Sequence, residues 1–131
     1  MPDRPPVHHL FRAQRKEHET RRGSARDRGY TVRWERARLA YLAEHPVCIG
    51  CQSVGRGVVG ATVVDHIVPH KGDHARFWDP SNWQACCRHC HDALKSQLEA
   101  AWEAGRIGSD SLRLDSPFAI SIARQVYRVV G

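Results

Sequence analysis

Two cysteine pairs, Cys48-Ile49-Gly50-Cys51 and Cys87-Arg88-His89-Cys90, constrain this chain more than any other feature. A tight turn at CxxC spacing lets two thiolates take two corners of a tetrahedron, each about 2.3 Å from a zinc ion. Two such turns complete a closed four-cysteine site, which is structural rather than catalytic. The 35 residues between the pairs exceed the spacing of a simple zinc ribbon, so a hairpin and a loop have to be looped out between them. A single CxxC is equally compatible with a redox pair. Two of them in a reducing compartment favour metal. Cys86 is left over; its CxxxC spacing to Cys90 makes a poor turn, and it reads as a small buried hydrophobe.

The compartment is inferred from what the sequence does not contain. The N-terminus is rich in Pro and Arg and has no apolar core of a signal peptide. No apolar run approaches the roughly 20 residues that span a bilayer. The expectation is a cytoplasmic protein that does not enter a membrane. At 131 residues the chain has the length of one ordinary domain, which argues against a large cofactor enzyme with separate cores.

Charge points to a partner. The formal net charge is +6, and residues 1–38 hold eleven Arg or Lys against five acids, whereas residues 39–131 hold nine against nine. The whole excess therefore sits in the leading segment. Arg supplies seventeen of the twenty basic side chains, and its planar fork suits bidentate contact with phosphate. A basic arm on a neutral body suggests a polyanion, most economically nucleic acid; a solvated Arg excess is the bland alternative.

The chain divides into a basic, flexible arm (1–29), a central domain (30–104) and a C-terminal extension (105–131). The arm has too few large apolar residues to offset its ordering entropy. Trp34, Ala37, Tyr41 and Glu44 share one face at helical spacing, so the pattern predicts a helix from Thr31, as N-cap, to about Glu44, closed by Pro46. Val58-Val59 and Thr62-Val63-Val64, separated by Gly60, read as two strands joined by a tight turn. Lys71 to Ser81 reads as a loop. Asn82 to about Ala104 has helical composition and stops at Gly105. The tail alternates like a strand at Phe118, Ile120 and Ile122, but its length and its Ala, Arg and Gln content favour a helix.

Between the cysteine pairs lie Asp65-His66 and Asn82, and His91 directly follows Cys90. A carboxylate and a neutral imidazole suit a hydrolytic divalent metal. On a regular strand Asp65 and His66 point to opposite faces, which suits different jobs. Asp65 can bind metal while His66 acts as a base. Taken alone, the pair is more economically read as two hydrogen-bonding residues at a strand end.

The run Asp65-His66-Ile67-Val68-Pro69-His70, with Gly72-Asp73, Phe77-Trp78-Asp79, Asn82-Trp83-Gln84 and Cys87-x-x-Cys90-His91, resembles the HNH endonucleases. It is most similar to the small zinc-stabilised type found in phages and prophages. The resemblance covers roughly Tyr30 to Gln97. It implies an α+β fold: a ββα-metal (His-Me finger) core of two strands ending at Asp65-His66, a loop, and the helix carrying His91. It implies that His66 is the general base, that Asn82 holds the loop and orients the base, and that Asp65 and His91 hold a catalytic Mg²⁺ or Mn²⁺. Cys48, Cys51, Cys87 and Cys90 would hold structural zinc. Some relatives carry another His one turn after His91; here that position is Lys95, expected to touch a substrate phosphate or to be solvated. Arg76 and Arg88 are further candidate DNA contacts, and His70 and His74 are expected to support the loop.

The implied activity is metal-dependent nicking or cutting of duplex DNA with little sequence preference, since no second domain for base readout is evident. The chain also resembles those HNH proteins that work beside a phage terminase, which by analogy implies assistance to DNA packaging. A non-catalytic zinc module that binds nucleic acid, and a restriction-type nuclease specific for sequence or modified bases, are the competing readings.

Overall fold

The structure, a computed structural model, describes residues 25–127, with side chains from Thr31 onward. The chain falls into two compact units, divided between Ala37 and Arg38. That boundary lies inside the first helix, α1 (Ala25–Glu44). Residues 1–24, most of the expected arm, lie outside the described residues.

Helix α1 starts six residues before Thr31, so Thr31 is a helix-interior residue and not the N-cap. The polar run Ala25–Gly29 carries no apolar stripe that would have announced the extra turns. Pro46 follows the helix end as expected. In the second unit, Tyr41 donates its hydroxyl to the Trp83 carbonyl at 3.2 Å and meets the Trp83 ring edge-on.

Helix α2 (Ile49–Ser53) carries the first cysteine pair. The sheet has two strands, β1 (Val63–His66) and β2 (Trp83–Cys86), antiparallel, with Asp65 opposite Gln84 and His66 opposite Trp83. This corrects the expected Val58–Val64 hairpin. Val58 is exposed, and Gly60 forms only an isolated bridge to Val47. The long excursion between the strands holds α3 (His74–Phe77) and a 3-10 turn (Pro80–Asn82). Asp73 caps α3 by accepting the Arg76 N–H at 3.1 Å, and Asp79 accepts from Ser81 in the same way.

The helix expected over 82–104 starts later. Its first residues are strand β2, buried at every position. A π-helical turn (Cys90–Lys95) then runs into α4 (Ser96–Glu103). Single π turns inside helices are frequent at functional sites. Gly105, at φ 75°, ends α4. Its N–H reaches the Trp102 carbonyl while that of Arg106 reaches Ala101, a Schellman closure that requires the left-handed conformation glycine tolerates.

A second 3-10 turn (Ser109–Leu112) leads to α5 (Pro117–Tyr127), so the tail is helical. Leu112, Leu114, Ala119 and Ala123 are fully buried in the same core as Leu94, Leu98 and the cysteines. Residues 105–127 thus complete the core around the metal-ligand cluster. The mixed α+β fold, with the four cysteines clustered as a staple, agrees with the expectation.

Candidate metal centre and active site

The four cysteines converge. Their sulfurs all lie within 4.8 Å of one another, with Cys48 to Cys90 at 3.6 Å and Cys51 to both Cys87 and Cys90 at 3.8 Å. A zinc ion with bonds of about 2.3 Å to four sulfurs spaces them about 3.8 Å apart, so the donor set fits zinc. Each pair is shaped by its own backbone. The Cys51 N–H points at the Cys48 sulfur and the Cys90 N–H at the Cys87 sulfur, both at 3.4 Å.

Sulfurs packed this closely hold their protons unequally. The contact with Cys90 draws the Cys48 thiol down to about 4. Burial, reinforced by that neighbouring charge, pushes Cys51 up to about 11. Arg56 lies 3.8 Å from the Cys51 sulfur and stacks over the Tyr127 ring, whose hydroxyl is 2.7 Å from the Cys90 sulfur. These two residues answer thiolate charge from outside the ligand set. Cys86 is fully buried on β2 and is not one of the clustered four; burial holds its thiol far above the ordinary range.

Asp65 and His66 end β1 on opposite faces. The Asp65 carboxylate is buried, and its Oδ2 accepts from Gln84 Nε2 and pairs with Lys95 Nζ, both at 2.9 Å. Its Oδ1 faces His91 Nε2 at 3.6 Å. On the far side of that ring, Nδ1 lies 3.0 Å from the Asp92 carboxylate, which can only accept. Nδ1 of neutral His91 therefore carries the hydrogen, and Nε2 turns a lone pair toward Asp65. Two electron-rich atoms facing each other, beyond hydrogen-bond distance, form a donor pair suited to a divalent ion, and the Asp92 contact is the kind that orients a ligating imidazole.

His66 points the other way. Its Nε2 lies 2.9 Å from the Phe77 carbonyl, which also accepts the Trp83 indole N–H at 2.9 Å. Because a carbonyl only accepts, Nε2 bears the hydrogen and Nδ1 holds the basic lone pair. Burial pushes the His66 imidazole below its ordinary 6.5, opposed by the Phe77 hydrogen bond. Phe77 and His70 pack their rings against it at 4.6 and 5.0 Å between centroids.

Asn82 sits where a loop clamp is required. Its Oδ1 accepts from Val68 N and its Nδ2 donates to Val68 O, each at 2.9 Å, and its own carbonyl accepts from Ile67 N at 2.7 Å. The start of the excursion after His66 is thereby pinned to its end.

Three expected DNA contacts fare differently. Arg88 is exposed, and so is Arg76, which donates to the Pro69 carbonyl at 3.2 Å. Lys95 is only 1% exposed. Its ammonium reaches Asp65 Oδ2, Glu99 Oε2 and the His66 carbonyl, at 2.9, 2.8 and 2.8 Å. Its three N–H groups are all committed, so none is left for a phosphate.

Gln84, Asp92, Arg56 and Tyr127 were not singled out by the sequence reading. The one signal for Tyr127 is that it lies four residues after Ala123 and eight after Ala119, on one helix face that needed something to cover.

Residues 48–97 match the family model for HNH endonuclease. Over that stretch the chain is similar to the HNH endonucleases. The match spans both cysteine pairs, both strands and the π turn, and so contains every residue placed at the two centres except Glu99 and Tyr127. No curated protein and no solved structure matches the chain. Among the described residues no helix is long and apolar enough to cross a membrane.

Proposed function

We propose that this chain is a metal-dependent endonuclease that hydrolyses phosphodiester bonds in duplex DNA, with little sequence preference. The reading rests above all on one arrangement: Asp65 Oδ1 and His91 Nε2 face each other at 3.6 Å, while the adjacent His66 keeps its basic nitrogen at Nδ1. Phosphodiester hydrolysis needs an activated water and neutralisation of charge on the phosphorane and the leaving oxygen. His66, neutral at physiological pH, is the base that takes the proton from water. Asp65 and His91 hold a Mg²⁺ or Mn²⁺ ion, which supplies Lewis-acid stabilisation when bound. Asn82 keeps the loop, and with it the Phe77 carbonyl that orients His66, in place. The Cys48, Cys51, Cys87 and Cys90 site binds zinc and is structural.

DNA as the substrate is supported by the HNH match and by the +6 charge, which is concentrated before residue 39. Arg76 and Arg88 are the exposed cations of the HNH segment proposed to meet phosphates. Assistance to a phage terminase follows from the resemblance alone, and co-purification with a terminase large subunit tests it.

The decisive experiment is nicking of supercoiled plasmid by zinc-loaded protein in Mg²⁺, Mn²⁺ or EDTA, for wild type and His66→Ala. Metal-dependent nicking that vanishes in a folded, zinc-replete His66→Ala establishes the reaction and its base. Nicking that survives the substitution removes His66 from the mechanism. Binding without cutting in any metal favours a zinc-stabilised DNA-binding module.

A further inference from the structure

We propose that Lys95 is an internal counter-ion that holds the affinity of the Asp65–His91 centre for its divalent ion low until a DNA phosphate arrives. The inference rests on the metal role proposed above for Asp65 and His91, and it concerns how that site is regulated by its substrate.

The geometry carries it. A buried ammonium 2.9 Å from Asp65 Oδ2 is a fixed positive charge beside the carboxylate that would receive a dication. Like charges this close repel strongly where water is excluded. The second carboxylate on Lys95, Glu99, is 39% exposed and so answers that charge less completely than a buried partner would. The centre opens onto a cleft of about 320 Å³ lined by His91, Asp92, Lys95, Ser96 and Glu99.

Lys95 does not merely support Asp65, because Gln84 already does. The Leu114 N–H donates to Gln84 Oε1 at 2.9 Å, which fixes the amide so that Nε2 serves both the Leu112 carbonyl and Asp65 Oδ2. With Oδ2 doubly bound, Asp65 offers the ion Oδ1 alone. One carboxylate oxygen, one neutral imidazole and an adjacent ammonium make a weak resting site. A phosphate adds a negative charge to the centre, so DNA and metal each raise the affinity for the other by the same factor.

The test is Mn²⁺ binding to zinc-loaded, DNA-free protein, followed by the electron paramagnetic resonance of free Mn²⁺, for wild type, Lys95→Met and Glu99→Gln. Removing the ammonium should tighten Mn²⁺ binding by about tenfold or more, and Glu99→Gln, which leaves the ammonium less neutralised, should weaken it. A purely structural role for Lys95 predicts that both substitutions weaken binding. Lys95→Met that binds Mn²⁺ no more tightly than wild type overturns the proposal. If Lys95→Met fails to hold zinc and fold, Lys95→Gln, which removes the charge and keeps N–H donors, takes its place, and Mn²⁺ binding no tighter than wild type overturns the proposal.

Plasmid nicking, run in parallel, separates the two proposals. Metal-dependent nicking with unshifted Mn²⁺ affinities removes the counter-ion and leaves the nuclease. Shifted affinities with no nicking do the reverse.

Discussion

The phenolic oxygen of Tyr127 lies 2.7 Å from the sulfur of Cys90, 37 positions earlier in the chain. Burial, then the neighbouring sulfur, holds the phenol far above its ordinary range, so it stays protonated and donates. Tyr127→Phe removes that donor and keeps the ring that Arg56 and His89 pack against. Zinc retention should fall roughly tenfold or more, as for other groups that hydrogen-bond a metal ligand. Competition with a chromophoric chelator measures it. An unchanged zinc affinity would mean that the contact is packing only.

Gly50 tests how tightly the same cluster is built. A Cβ at this position would stand 2.8 Å from the Cys90 sulfur, and that atom is held by the cluster and cannot swing away. Gly50→Ala should destabilise the zinc-loaded protein by about 1–3 kcal/mol, the usual cost of overpacking. Gly108→Ala, where an added Cβ meets nothing within 4 Å and φ is −87°, is the matched control. Thermal melts of the two should separate by several degrees. Coincident melts would refute the crowding.

Asn82→Ala deletes two hydrogen bonds to the Val68 backbone and strands both backbone groups. A loss of about 2 kcal/mol is expected in urea unfolding, with a slower nicking rate because the Phe77 carbonyl is less well placed for His66. Asn82→Asp should not rescue it. That change keeps an acceptor for the Val68 N–H but sets an oxygen against the Val68 carbonyl.

The downward shift at His66 fixes the sign of a pH effect. Its folded-state value lies below the ordinary 6.5 because burial disfavours the charged ring. The unfolded chain therefore binds the proton more readily. This group's contribution to stability is complete above about pH 6.5 and falls away as pH drops from there through the folded-state value. The same shift keeps the proposed base neutral in mildly acidic solution, so the acid limb of the nicking rate should lie below pH 6.5. An acid limb above pH 7 in wild type would contradict this.

The four-cysteine cluster was legible in the sequence because each CxxC pair is a local object, closed by its own backbone N–H to sulfur contacts. Asp65, His66, Asn82 and His91 were read together from the spacing of the motifs, and the structure brings Asp65 and His91 within 3.6 Å of each other. The strand pairing was not. Val63–His66 finds its partner beyond the whole 67–82 excursion, and β-branched residues nearby at Val58-Val59 offered a shorter, wrong one. Sheet partners are set by long-range packing, which local propensity does not encode. Trp83–Cys86 is buried at every position, so it lacks the alternation that marks a half-exposed strand. Lys95 was misread because its i+4 relation to His91 reports a shared helix face and not whether that face meets water.

The grip of Leu112 and Leu114 on the Gln84 amide has a bearing on portability. The HNH segment ends at residue 97, yet the stance of its buried carboxylate is dictated by main-chain atoms that follow it. Transplanted into another scaffold, residues 48–97 would carry the clustered side chains and leave behind the template that sets one of them. The tail after Gly105 is thus a piece of the tool itself, separated from the rest only by the order in which the ribosome delivers it.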